Sequence, residues 1–331
     1  MLGDVWGPEE RGRSVALYTL LLLLGPTLGP ILGGFVAEYS SWSWIFWSVS
    51  IVAGVIEIVA TFLFRETFAP VLLGRKCARL REETNNANLH TKWDRPERTF
   101  GRMLLVSIAR PFALLGTQPI LQILVLYIAY LFGLTYLVET TFPKIWTQGY
   151  DQSISVSSLH YLALALGYIL GTQSCSNLVD RVYRRLKFSW GKGIGQPEYR
   201  LPLLIPGSLA VPVGILWYGW SAQHHLHWIM PDIGIGIFAF GMKYGMQCTQ
   251  LYGLDVYPTF AASASASGMF VRSLAGFAFP LFAPDLYQRF DVGWGNSLLA
   301  LFAFVIGVPA PFLLWFYGPA LRRRSTLYAG E

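Results

Sequence analysis

Eight apolar stretches constrain this chain more than anything else in it, each close to the roughly 20 residues that a helix needs to cross the hydrocarbon core of a bilayer. They run Leu17–Val36, Trp44–Phe64, Ile120–Thr140, Leu159–Val179, Leu201–Trp220, Trp228–Thr249, Thr259–Ala283 and Ser297–Tyr317. Within lipid a backbone must satisfy its own N–H and C=O groups, so each stretch is expected to be helical. The expected fold class is an all-α membrane protein with about eight transmembrane helices. Charged residues make up 13 % of the chain against 53 % apolar, about half the charge that a soluble domain carries on its surface. The 12 Trp and 17 Tyr suit belts at the lipid headgroups. The first stretch does not read as a signal peptide, because it continues through GPTLGPILGG into a second span within a few residues.

The formal net charge of +6 would suggest nucleic acid as a partner if the positive residues were scattered. They are sorted instead. Two lie at the amino end (Arg11, Arg13), ten in the Arg65–Arg110 connection, six between Arg181 and Arg200, and three in the tail (Arg322, Arg323, Arg324), which is 21 of 25. Lys144 and Arg289 fall on the other side, and Lys243 and Arg272 inside spans. An even number of spans puts both termini on one side, and the positive-inside rule makes that side cytoplasmic. The basic charge reports topology and excludes nucleic acid. In the long connection, ETFAPVLLGRKCARLREE has helical spacing and is expected along the membrane surface, while REETNNANLHTKWDRPER is expected to be flexible.

Within the first span, GPTLGPILGG places Gly25, Gly29 and Gly33 four residues apart, beside Gly34, Pro26 and Pro30. A stripe without side chains lets helix backbones approach closely, and the prolines break the hydrogen-bond ladder. A packing face with a bend is the plain reading; a pivot on which helix bundles rock is the functional one. Arg272, Glu139, Glu57 and Lys243 are ionisable residues within spans. Arg272 falls near mid-membrane, where it should face the bundle interior and have a partner, either bonding nearby carbonyls or serving substrate or proton. Glu139 and Glu57 are possible proton-coupling carboxylates, Glu139 the better placed, in LVETTFPK near a cavity mouth; an interfacial residue reaching water is its plain reading. Lys243 lies toward the cytoplasmic end of its span, where snorkelling accounts for it. Tyr127, Tyr130, Tyr136, Tyr244 and Phe270 are the aromatic candidates for a cavity wall. His224, His225 and His227 lack further ligands nearby, and Cys77, Cys175 and Cys248 have no paired spacing. No metal site and no cofactor are expected.

GPTLGPILGG resembles the antiporter motif in the fifth helix of drug:proton antiporters of the major facilitator superfamily. The flanking DVWGPEERGRSVALY, WSWIFW and RETFAPVLLGRKCARLR are similar to fungal members, as are RPFALLGTQPIL, GQPEYRLPLLIPG, WYGWSAQHHLHWIMPDIG and YPTFAASASASGMFVRSLAGFAFPLF. The resemblance implies that the spans match family helices five to twelve. Residues 1–64 would then be a two-helix remnant of the amino-terminal bundle, 65–111 the central cytoplasmic loop, 112–318 the six-helix carboxy-terminal bundle and 319–331 a cytoplasmic tail. Four family helices and a basic loop motif would be missing at the front, RETF stands where PETY is usual, and Gln118 where Glu is common. NLVDRVYRRLK, with Asp180 and Arg181, resembles a weakened copy of that basic gating motif; a positive-inside anchor is the plain alternative.

The resemblance implies secondary active transport: proton-coupled efflux of a small amphipathic organic compound, with lipid, substrate and protons as partners, by a multi-pass protein of the plasma membrane. The alternative is a non-transporting membrane protein, or a half-transporter needing a partner chain that supplies the missing helices. An enzyme is not expected. No H-E-x-x-H, Asp pair or G-x-S-x-G occurs in a span, and WGKGIGQ lacks the strand and G-K-[ST] ending of a nucleotide loop.

Overall fold

A computed structural model describes residues 25, 28–63, 66, 69–86, 88–91, 100–191, 193–257 and 260–323. The described residues are helical with short connections, and they contain no strand. The chain clusters into two compact units, 1–105 and 106–331.

In the first unit, α1 (28–39) is followed after a short turn by α2 (Ser43–Leu63). None of the α2 side chains is buried. Trp44, Phe46, Trp47, Ile51, Val55 and Phe62 are exposed around its circumference, which suits a rod immersed in hydrocarbon or covered by other helices. α3 (Ala69–Thr84) is the helix expected from ETFAPVLLGRKCARLREE, laced by an Arg79–Glu83 pair at 2.7 Å one turn apart. The segment after it departs from expectation. Residues 92–99 lie outside the described residues, but α4 (Phe100–Thr117) begins well inside the predicted loop and runs through Pro111. The apolar run from Leu104 to Leu115 has helical length and period.

The second unit holds a series of long apolar helices. α5 (Pro119–Lys144) opens with proline at its first position, where the missing N–H costs nothing, and ends in a π-type turn, Ile145–Gly149. A short α6 (Ile154–Leu159), capped by the Ser153 hydroxyl, leads into α7 (Tyr161–Ser189). A 3-10 turn (Pro197–Leu203) starts α8 (Leu204–Gln223), then come α9 (Ile229–Val256) and α10 (Ala261–Gly307). α10 is two limbs joined at Asp291, whose φ of 56° and ψ of 178° break the helix. A second interruption at Val308 precedes α11 (Pro309–Arg323), because Pro309 has no N–H to continue the ladder. The last two spans are therefore longer than predicted, and the final one is divided.

α9 packs against both α7 and α8; the first limb of α10 lies on α5 and the second on α8. Backbone proximity explains the glycines of α8 and α9. A Cβ on Gly214 would stand 2.3 Å from the Phe238 nitrogen, and one on Gly234 2.5 Å from the Tyr218 nitrogen. Lipid does not drive helices together, so this close packing has to. Ile120, Leu124, Leu134, Phe142, Trp146, Tyr218, Phe238 and Tyr252 form the core, while Leu126, Leu166, Leu170 and Leu301 point outward. Five described segments are long and apolar enough to cross a membrane, and the last, Ala261–Arg322, is long enough for two crossings. α9 is long enough but less apolar, and its depth in the bundle accounts for that.

Candidate functional site

Half-way along the bundle, one wall carries charge. Lys243 sits midway in α9, Arg272 in the first limb of α10, and Glu139 on α5 toward its carboxy-terminal end, so three helices supply these separated residues. At 1.5 Å per residue, Lys243 is about 20 Å from the start of its helix. Its ammonium lies 4.6 Å from the centre of the Tyr168 ring on α7. The Tyr168 hydroxyl donates to Glu139 Oε1 at 3.3 Å. Glu139 and Lys243 attract each other electrostatically, and Lys243 and Arg272 repel. The Arg272 guanidinium is 4.9 Å from the centre of the Phe132 ring, and that ring is tilted against Tyr136 at 4.9 Å.

This geometry alters two expectations. α9 continues to Val256, so Lys243 is at mid-helix and its ammonium rests on Tyr168 rather than reaching for the basic end. Arg272 bonds no neighbouring carbonyl; its Nε is buried without a hydrogen-bond partner among the described residues. A ring face offers a cation about 0.5–2 kcal/mol but satisfies none of the five N–H groups directionally.

The remaining candidates separate. Tyr136 is 41 % exposed on the same wall. Tyr244 is buried, its ring tilted against Phe240 and its Cβ 2.6 Å from a Cβ built on Gly207; it belongs to the α8–α9 packing. Tyr127 and Tyr130 have buried hydroxyls without partners among the described residues. Phe270 meets Phe112 edge-on at 5.1 Å. In the first unit Glu57 is on an exposed face of α2. Gly25, Gly29 and Gly33 have no described heavy atom within 4 Å of a would-be Cβ, so their stripe is open; Pro30 and Gly34 are half-exposed beside it, and Pro26 lies outside the described residues.

Both ends of the bundle hold ion pairs that sequence reading missed. At the basic end, Arg322 reaches the buried Glu198 carboxylate at 2.9 Å, and Tyr252 donates to the same carboxylate. Arg200 bonds Asp255, reaches Asp180 at 3.4 Å and stacks on Tyr183. The partner of Asp180 is thus Arg200, while Arg181 points outward. At the opposite end, the His160 ring lies flat on Trp146, with ring centres 3.5 Å apart. Its nitrogens contact Asp232 Oδ2 and Gln152 Oε1, each at 2.8 Å. Burial and the Asp232 carboxylate push the neighbouring Tyr150 phenol above its ordinary pKa. His160 and Asp232 sit in or beside apolar stretches, the signal that could have found them. Among the described residues no group of three His, Cys, Asp or Glu side chains converges as a metal site would require.

The model of the Major Facilitator Superfamily matches residues 1–280, and this match decides the family. The chain belongs to the major facilitator superfamily. An efflux pump, vrtL, of Penicillium aethiopicum is 46 % identical over 329 residues, covering 99 % of this chain and 65 % of that protein. The MFS-type transporter oryF of Aspergillus oryzae is 45 % identical over 98 % of this chain and 67 % of its own length. A probable efflux pump, mfs2, of Aspergillus flavus is 40 % identical over 98 % and 77 %. The chain therefore spans just under two-thirds of the length of vrtL. This is a family of transporters in membranes rather than a class of enzymes, and the all-α architecture with membrane-length helices agrees with it.

Proposed function

We propose that this superfamily member serves secondary active transport, exporting a small amphipathic organic compound with the proton gradient as its drive. The carrying observation is the wall of Arg272, Lys243 and Glu139, with Tyr168, Phe132 and Tyr136, half-way along a helix bundle. Ionisable residues are costly at that depth, about 2.5–3.5 kcal/mol for an arginine on insertion scales, and are kept where they face a pathway. Aromatic rings beside them suit a ligand that is partly apolar and partly polar. Two efflux pumps among the relatives favour export.

In this reading the basic end faces the cytoplasm, in the plasma membrane, and the wall opens to each side in turn as the halves of a transporter rock. Glu139 is the titratable carboxylate of this wall, and the glycine stripe at Gly25, Gly29 and Gly33 is the surface on which helices move. The Arg200–Asp180–Asp255 and Arg322–Glu198 pairs tie helix ends at the cytoplasmic side and part when it opens. The domain reading follows: two helices of one half, a connection, and a complete six-helix half.

Flux tests it. This chain, and a version extended at its amino end to the length of vrtL, are expressed in cells and loaded with amphipathic fluorescent compounds. Export that rises with an inward proton gradient, and is lost in Arg272→Ala at unchanged protein level, is expected. Export insensitive to Arg272→Ala would reject the wall as the pathway.

A further inference from the structure

The charges on this wall do not balance, and the imbalance specifies a ligand. Arg272 has no ion pair or hydrogen bond among the described residues, and its Nε is buried against the Phe132 ring. Lys243 likewise makes no ion pair among them, resting on Tyr168 instead. Glu139 is the carboxylate within electrostatic reach of Lys243, and it already accepts a hydrogen bond from Tyr168. Two cations thus face one carboxylate, in a setting where charge is weakly screened.

We infer that the cargo held on this wall is a planar organic monoanion, its acid group taken by Arg272 and Lys243 and its ring system laid against Tyr136 and Phe132. A monoanion brings the wall to neutrality when Glu139 is ionised. A carboxylate or similar acid offers the paired acceptors that match the arginine fork. A cation would add a third positive charge to two that already repel. A neutral ligand would leave the buried Arg272 Nε–H unmatched, a penalty that an anion removes. The exposed ring of Tyr136 and the face of Phe132 supply the apolar contact for the remainder of the molecule.

This inference rests on the reading of the wall as a cargo site, but not on which ion drives transport. Its charge sign does bear on coupling. A proton on Glu139 and an anion on Arg272 assist each other, so neutralising Glu139 should tighten an anionic cargo. A proton exchanged against such a cargo would then have to be held at another group.

The test compares three isosteric probes, 2-naphthoate, 2-naphthylmethanol and 2-naphthylmethylammonium, by equilibrium dialysis. The full chain is held in nanodiscs of uncharged phosphatidylcholine, with empty discs subtracted. Naphthoate is expected to bind at least about tenfold more tightly than either analogue, the ratio that one charge-assisted hydrogen bond supplies. Arg272→Gln should remove that preference, Arg272→Lys should keep part of it, and Glu139→Gln should strengthen naphthoate. Arg289→Gln, which deletes a cation at the far end of the same limb, should change nothing. Circular dichroism and size-exclusion profiles identify any variant that has lost its fold; Arg272→Lys then carries the comparison. Equal binding of the three probes, or naphthoate binding that survives Arg272→Gln, would overturn the anion inference while leaving a cargo site in place. Absence of binding by all three would overturn the cargo site and the inference together.

Discussion

The ends of the six-helix bundle and its middle treat charge in opposite ways. At the ends, carboxylates have partners: the buried Glu198 has Arg322, the part-buried Asp255 has Arg200, and Asp232 has the His160 ring. In the middle, Arg272 and Lys243 lie over rings with a single carboxylate near them. Paired ends hold helices at fixed spacing, because separating such a pair strands a charge in a poor solvent. An under-paired middle contributes little to holding the bundle and leaves donors for something that comes and goes. The difference separates stabilising charges from working ones without reference to sequence position.

The largest effect should come from breaking an end pair. Glu198→Ala leaves Arg322 and Tyr252 without their carboxylate and should cost about 3–5 kcal/mol, read as a lowered thermal midpoint of the purified chain in detergent. An unchanged midpoint would erase the contrast. His160→Ala strands Asp232 and removes the stack on Trp146; its loss should be comparable or somewhat smaller. Arg272→Ala should cost only about 1 kcal/mol, the worth of a cation over a ring, yet abolish cargo handling. A midpoint drop as large as that of Glu198→Ala would make Arg272 structural. Tyr168→Phe removes the donor to Glu139 and should destabilise by about 0.5–1.5 kcal/mol, while shifting the pH at which transport is half-maximal. Smallest of all, Glu83→Ala on α3 breaks an exposed one-turn pair and should change stability by no more than about 0.5 kcal/mol.

Much of the architecture was legible because lipid is an unforgiving solvent. A run of apolar residues near 20 long admits few readings, so the long helices of the second unit overlap the predicted apolar stretches. Misreadings arose where local cues compete. α4 begins inside the predicted 65–111 connection, where charged residues and Pro111 stand beside an apolar helical period. α9 runs past the predicted end at Thr249 to Val256, which puts Lys243 at mid-helix rather than toward the basic end. The candidate wall was legible as four unlinked suspicions, Arg272, Glu139, Lys243 and Tyr136. Tyr168 and Phe132, which connect them, carry no mark in a sequence where aromatic residues make up 15 % of the chain.

Sequence alone determined the solvent and the all-α class, since hydrophobic length is additive along the chain. Which residues meet was decided by tertiary structure: glycine contacts set how α8 and α9 approach, and that approach helps place Lys243 relative to Tyr168, Glu139 and Arg272. Such meetings depend on helix rotation and crossing, and a change of one residue in register turns a side chain by about 100° around its helix. Periodicity names the face of a helix but not the neighbour it turns toward. Here that neighbour is what distinguishes a stranded cation from a paired one.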